Sequence, residues 1–379
     1  MEMTQIYEIV NEVTAQVTGT EPVADVDLNK VVDVGAEVLE TDKMDHYVRS
    51  LIDHIGKVVF VNRPYTGSTP SVMMDSWEFG AVLEKIQYEG LPEAEENDTW
   101  NLQDKQSYDP NIFYKPTVSA KFFSERRTFD IPMSFAQRQV KSAFDSAGQL
   151  QSFFAMIETA ISNGMTVKMD GLVEATVNNF IATIYGDGTA SAQLVPLLTN
   201  YAAFSGKTAP TAAQALADPD FTRYMTFAMK RKAAQMTKLS TVFNAGGKYR
   251  HTPADRLHMI LHADVAAAAD AYLQSDTYHN EFVALPGAET VPYWQGSGSG
   301  FDWADTSKII VTPKGEENPV TINNIVGVMF DRDALGVSNL DRRVTTNWNP
   351  KGEFTNNWYK FDAGYFNDFN ENGVVFVLA

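Results

Sequence analysis

The chain reads as an α+β protein, and three stretches carry that reading. From about Pro132 to Gly186 apolar residues recur at three-and-four spacing, among them Phe144, Leu150, Phe153, Ile157, Ile161, Met165, Met169, Leu172, Val177, Phe180 and Ile184. That is the period of a helix. Residues 63–131 hold two strand-like flanks, Ala81–Tyr88 and Thr117–Ile131, rich in β-branched and aromatic side chains, around an acidic middle with no period. Residues 190–345 mix helix and strand patterns, and the final residues GVVFVLA form a buried-type strand that needs a partner.

The helical stretch looks like a spine. No proline falls between residues 149 and 184, and its weak points are Gly164 and Gly171, each costing about 1 kcal/mol relative to alanine. A continuous helix there would be roughly 50 Å long at ~1.5 Å per residue. The 63–131 stretch reads as a long antiparallel hairpin whose acidic tip carries Glu93, Glu95, Glu96 and Asp98. A connection of that length inside a compact domain is usually functional or an arm. A two-stranded ribbon is marginal alone in water, and this one carries Trp77, Phe79, Trp100, Phe113 and Tyr114. The surface expected to receive it is a neighbouring subunit. Arg126 and Arg127 sit on the returning strand, where one must face away from the other. Either at least one pairs with acids of an adjacent subunit, or an intrachain ion pair forms beside Glu125 or Asp130.

Before the hairpin, residues 1–45 carry eleven acids against Lys30 and Lys43, half of the chain's net charge of −18. This is too polar to be a domain by itself. Residues 45–62 read as a short helix ending near Gly56 and then a strand. In the mixed lobe, Asp218 is placed to cap a helix that begins at Pro219, Arg256–Leu261 reads as a strand, and DVAAAADAYLQ as a helix. Strands follow at Lys308–Val311 and Asn324–Phe330, and a turn at Asn372-Gly373.

Composition excludes several classes. A pI near 4.7 is opposite to what gripping nucleic-acid phosphates requires. The 379 residues include no cysteine, which removes disulfides, thiolate metal sites and thiol nucleophiles. The opening MEMTQIYEIVNEV has neither a basic start nor an apolar core, and no run approaches ~20 apolar residues, so neither a signal peptide nor a membrane span is expected.

The motifs that imitate chemistry have plainer readings. His258 and His262 in HMILH would share a helix face, but in a strand they lie roughly 13 Å apart, and the HExxH glutamate is missing. FSGKT at 204–208 and NAGGKYR at 244–250 lack the first glycine of a phosphate loop and read as turns at helix ends. GSGSG at 296–300 reads as a surface loop, and Asp331 and Asp333 as a strand end followed by a capped helix turn. Lys230, Arg231 and Lys232 read as a solvated helix face, with contact to an acidic neighbour such as the hairpin tip as the other possibility.

Taken in order, the chain offers an acidic N-terminal arm, a long hairpin, a spine helix, a mixed lobe and a return strand. With FFSERRTFDIPMSF leading into the spine, IVGVMFDRDALGV, and the ending FDAGYFNDFNENGVVFVL, this organisation resembles the major capsid proteins of tailed bacteriophages, the Hong-Kong-97 fold. The resemblance implies an N-terminal arm over 1–50, a strand and extended loop over 51–131, and a peripheral domain with the spine helix over 132–190. It further implies a mixed α/β axial domain over 191–345 and a return to the peripheral domain over 346–379.

Its functional implications are a structural protein, not an enzyme, with no cofactor and no metal. The subunit would self-assemble through pentamers and hexamers into an icosahedral shell around double-stranded DNA, which it would hold without sequence-specific contacts. It would be assembled in the bacterial host cytoplasm and reside in the virion, with a portal and a decoration protein as further partners. Only about fifty residues precede the hairpin, which implies a separately encoded scaffolding protein. Some members of this family cross-link through a hairpin lysine; Lys85 is available, but no promoting acid is identified and no cross-link is expected. An encapsulin-like compartment is the same-fold alternative. A soluble α/β hydrolase or nucleotide-using enzyme built on 190–345 is the alternative from another class.

Overall fold

In this computed structural model the described residues are 67, 70–74, 82–92, 94, 96, 99–108, 110–136, 147–186, 192–274, 288–296, 307–313 and 316–379. The expected arm over 1–50, the helix and strand at 45–62, and Trp77, Phe79, Glu93, Glu95 and Asp98 lie outside them. The chain divides into two units, Met1–Asn62 with Gln151–Met156, and Arg63–Leu150 with Ile157–Ala379. Of the first, only the helical stretch Gln151–Met156 is described.

The elements run β1 (Met73–Met74), β2 (Leu83–Tyr88), β3 (Val118–Phe123), β4 (Arg126–Ala136), α1 (Ala147–Gly186), β5 (Leu194–Pro196), α2 (Leu197–Ser205), α3 (Ala212–Ala215) and α4 (Pro219–Met236). They continue with β6 (Leu257–His262), α5 (Ala263–Gln274), β7 (Ala288–Val291), β8 (Ile309–Val311), β9 (Val320–Ile322), β10 (Ile325–Asp331), β11 (Leu335–Asn349), β12 (Phe354–Asn367) and β13 (Gly373–Val377). This is mixed α+β content, as the sequence patterns predict.

α1 runs for 40 residues, about 60 Å at ~1.5 Å per residue. It passes through both glycines. A Cβ at Gly164 would meet Ile131 Cδ1 of β4 at 3.1 Å, whereas one at Gly171 would meet nothing within 4 Å. The first glycine therefore admits a close neighbour. Met169, Leu172, Val173, Val177, Phe180, Ile181 and Ile184 are buried at the predicted three-and-four spacing.

That stripe packs on a five-stranded sheet of order β5-β13-β10-β6-β7. β13 pairs antiparallel with β10 and parallel with β5, so the C-terminal strand finds its partners here. Ile260, Val328, Phe330, Val375 and Val377 lie in one core with α1. Met259, Leu261, Met329, Val374 and Phe376 lie in a second core with α2, α4 and α5. Strands buried on both faces read as continuous apolar runs, which is what IVGVMF and GVVFV are. The Asp218 side chain caps α4, accepting from the N–H groups of Asp220 and Phe221.

A four-stranded sheet of order β1-β11-β12-β4 makes the other layer. β11 and β12 form a long antiparallel hairpin, and β4 pairs with β12 from Ala136 opposite Phe354 to Arg126 opposite Gly364. Phe129 stacks on Phe361 at 5.1 Å between ring centroids.

Four local expectations are corrected. The single strand over Thr117–Ile131 is two, because the chain is redirected at Ser124-Glu125: β3 stays with β2 while β4 joins β12. No helix turn follows Asp331. Its carboxylate accepts from Asp333 N–H at 3.0 Å, and its carbonyl from Ala334 N–H at 2.8 Å, closing a tight turn straight into β11. NAGGKYR lies beyond the end of α4 at Met236, inside a loop closed by Ser240 bridging Arg250. FSGKT does sit at a helix end, with Gly206 at φ 69° terminating α2. Lys232 is not solely a solvated charge: its Nζ reaches the Ala192 carbonyl at 3.3 Å and lies 5.3 Å from the Phe243 ring centroid. Burial pushes its pKa down, and the neighbouring Arg231 charge adds to that.

On α1, Glu174 is partly buried beside Tyr293, which hydrogen-bonds to it. Burial first, and the Asp170 charge second, push its carboxyl up from 4.5 to about 7. Tyr293 is pushed up to about 12 by burial and by the Glu174 charge. A carboxyl whose folded pKa is raised contributes stability that is fully present below its unfolded pKa and is lost as pH rises through the folded value. Glu174→Gln is therefore expected to match the wild type near pH 4 and to be more stable by about 1–2 kcal/mol near pH 8. Urea titrations at the two pH values check this, and equal stability at both would contradict it.

Candidate subunit interface

β2 and β3 pair in register from Leu83 opposite Phe123 to Tyr88 opposite Val118, and Glu89 N–H donates to the Thr117 carbonyl to close the ladder. Burial alternates along both strands. Lys85, Gln87 and Lys121 face the protein; Ile86, Tyr88, Val118 and Phe122 face outward.

The inward face holds the root of the arm. Lys85 lies directly opposite Lys121 in the ladder, a like-charge pair that opposes strand pairing on its own. Asp368, its side chain 2% exposed, sits between them: Oδ2 is 3.1 Å from Lys85 Nζ and Oδ1 is 2.8 Å from Lys121 Nζ. Burial alone would push the Asp368 carboxyl up, but Lys121 and Lys85 together outweigh it and hold the group below the usual carboxylate range. Lys85 also donates to the Asp333 carbonyl and lies 5.1 Å from the Phe366 ring centroid.

Further along β2, Gln87 accepts from Arg250, which pairs with Glu371 at 3.0 Å. Glu89 pairs with Lys248 at 3.4 Å. Both strands are thus tied to the segment over 368–371, and β2 with Glu89 also to the loop over 248–250.

Beyond the root the described residues of the arm are exposed. Trp100 is 95% exposed, Phe113 82% and Tyr114 79%. Between Gly90 and Lys115 no strand is formed among the described residues, in line with the missing period there. Glu96 is exposed.

Arg126 and Arg127 begin β4 and are both exposed. Arg126 lies near Asp362, which is held below the usual range by hydrogen bonds from Arg343 and Thr128, with the Arg126 charge a smaller contribution. Arg127 has no ion pair among the described residues. The distal half of the β11–β12 hairpin is a second exposed projection, with Val344 and Trp348 on its surface. Sequence reasoning missed the Lys85–Asp368–Lys121 clamp. Its one local signal is a lysine at an inward position of each strand, and register cannot be read until the strands are paired.

Neither histidine of HMILH sits in a metal-binding constellation: among the described residues no group of three or more His, Asp or Glu is placed to hold an ion. Among the described residues no helix is long and apolar enough to cross a membrane.

Comparisons with known proteins place this architecture. No curated protein sequence matches the chain. The capsid structure of Staphylococcus phage Andhra is 10% identical, with 85% of this chain and 87% of that chain covered and a TM-score of 0.54. A chain in the structure of the head fiber and inner core protein gp22 of native bacteriophage P68 is 7% identical, with 85% and 87% covered and a TM-score of 0.56. At such identities the likeness shows the fold. The family profile of Phi29-like phage major capsid proteins matches residues 6–377, nearly the whole length. The chain therefore belongs to the Phi29-like phage major capsid protein family.

Proposed function

We propose that the chain is the subunit of an icosahedral head that assembles through pentamers and hexamers and encloses packaged double-stranded DNA. The observation that carries this is the arm. It is clamped at its root by a buried carboxylate and presents Trp100, Phe113 and Tyr114 to solvent. An exposed aromatic projection on an anchored base is a surface for a partner to bury. The hairpin is the extended loop of the Hong-Kong-97 arrangement, α1 its spine helix, and the five-stranded sheet with α2, α4 and α5 its axial domain. The excess of acids suits a container whose lumen does not grip phosphates. Further partners are a separate scaffolding protein, a portal and a decoration protein, with assembly in the host cytoplasm.

Negative-stain electron microscopy of the purified chain, alone and with the proteins encoded beside it, tests the reading. Closed shells, tubes or five- and six-membered rings are expected; a persistent monomer under both conditions would overturn it. Asp368→Asn leaves two facing lysines without their counter-charge and is expected to loosen the root by about 2 kcal/mol. The subunit should keep its far-ultraviolet circular dichroism, lose protection of β2 and β3 in limited proteolysis and give fewer particles. We infer that Arg127 pairs with acids of an adjacent subunit. Arg127→Glu is expected to yield soluble subunits that fail to assemble, and normal particles from it would remove Arg127 from the interface.

A further inference from the structure

Asp170, Glu174 and Asn178 stand at successive turns on one stripe of α1. Residues four apart on a helix are neighbours, and two carboxylates so placed repel each other. The Asp170 charge does act on Glu174. Against the same stripe lies the segment that leaves β7: the Tyr293 hydroxyl is hydrogen-bonded to the Glu174 carboxyl, and the carbonyl of Trp294 accepts from Asn178 Nδ2 at 2.6 Å. Asp170, Glu174 and Tyr293 are half-buried.

Asn178 is 4% exposed, and its Oδ1, shielded from solvent, has no hydrogen-bond partner among the described residues. A buried polar oxygen in a native protein is normally met by a donor, a water or an ion. Helical side chains lean toward the N-terminus of their helix, so the Asn178 amide lies over the turn that carries Glu174. Its nitrogen is committed to Trp294. The oxygen is the atom left to meet what the two carboxylates attract.

We propose that the carboxylates of Asp170 and Glu174 and the Oδ1 of Asn178 form a site for a divalent cation of the calcium type, which ties α1 to the segment after β7. The donor set selects the ion. Carboxylate and amide oxygens, with no nitrogen or sulfur among them, suit hard cations such as calcium over zinc or copper. Water completes the shell of about 6–8 oxygens that calcium takes, and with two carboxylates the site is weak, in the range of about 0.1–1 mM. Tyr293, bonded to Glu174, orients that ligand from outside. Trp294 is 2% exposed and its indole N–H donates to the Ile325 carbonyl at 3.0 Å. The ion would therefore join α1 to a segment already anchored on β10.

The test uses the purified full chain, freed of metal with a chelator and held near pH 8, and does not depend on assembly. Terbium chloride is titrated in, with excitation of the aromatic side chains; Tyr293 and Trp294 stand close enough to sensitise its emission. The emission should saturate and be displaced by calcium, and calcium alone should raise the unfolding midpoint by several degrees. The double variant Asp170→Asn with Glu174→Gln should keep its far-ultraviolet circular dichroism and lose both responses. Asn178→Asp supplies a third carboxylate where Oδ1 stands and should tighten calcium by about tenfold or more. A chain of net charge −18 also gathers cations diffusely. Equal responses in the wild type and the double variant would mean surface counter-ions only and overturn the site, as would a wild type without saturable emission. No gain in affinity from a folded Asn178→Asp would overturn the assignment of Asn178 as a ligand.

Discussion

The structure depends on one buried face of one helix. The stripe from Met169 to Ile184 on α1 packs against the five-stranded sheet, and Met165 packs against the same core as Phe129 and Phe361 of the four-stranded sheet. Helix, sheet and sheet share a single cluster. Each fully buried large side chain there contributes about 1.5–3 kcal/mol, which is what an unbroken 40-residue helix needs beyond propensity alone. Packing keeps the helix continuous through Gly164 and Gly171, where propensity is weakest.

Electrostatics does a different task. An acidic chain has few cations, and it places two of them opposite each other at the root of a ribbon, where they repel unless a counter-charge intervenes. Asp368 is the last residue before the turn into β13. The position of the hairpin is therefore tied to the strand that completes the main sheet. The inner half of the ribbon is fixed to the fold, while its aromatic outer half has no internal core to join.

Much of this was legible in sequence. The apolar spacing from Ile161 to Ile184 identifies the spine, the Asp218 cap locates the start of α4, and IVGVMF and GVVFV announce strands covered on both faces. The loss of period after Tyr88 marks where the ribbon stops pairing. What escaped has a common cause. The long β11–β12 hairpin is half exposed and built from sequence such as DRRVTTNWN, whose polar character hides the strand until a partner supplies register. The turn at Asp331 looked like a helix cap because an aspartate accepting a nearby N–H serves both structures. The contact of Phe204 with Phe227 was invisible because Phe204 sits in FSGKT, which reads as a turn, and Phe227 carries no signal of its own; only the packing of α2 against α4 brings them together.

The edge of the four-stranded sheet has a consequence for a subunit waiting to be used. Among the described strands β4 is outermost on its side, pairing with β12 and nothing beyond. An open edge of 11 residues is a template on which another chain could add a strand and polymerise without limit. β4 begins with two adjacent arginines and carries Pro132 opposite Trp358; the charges repel a like edge, and the proline removes one donor. Both features disfavour sheet growth on that edge.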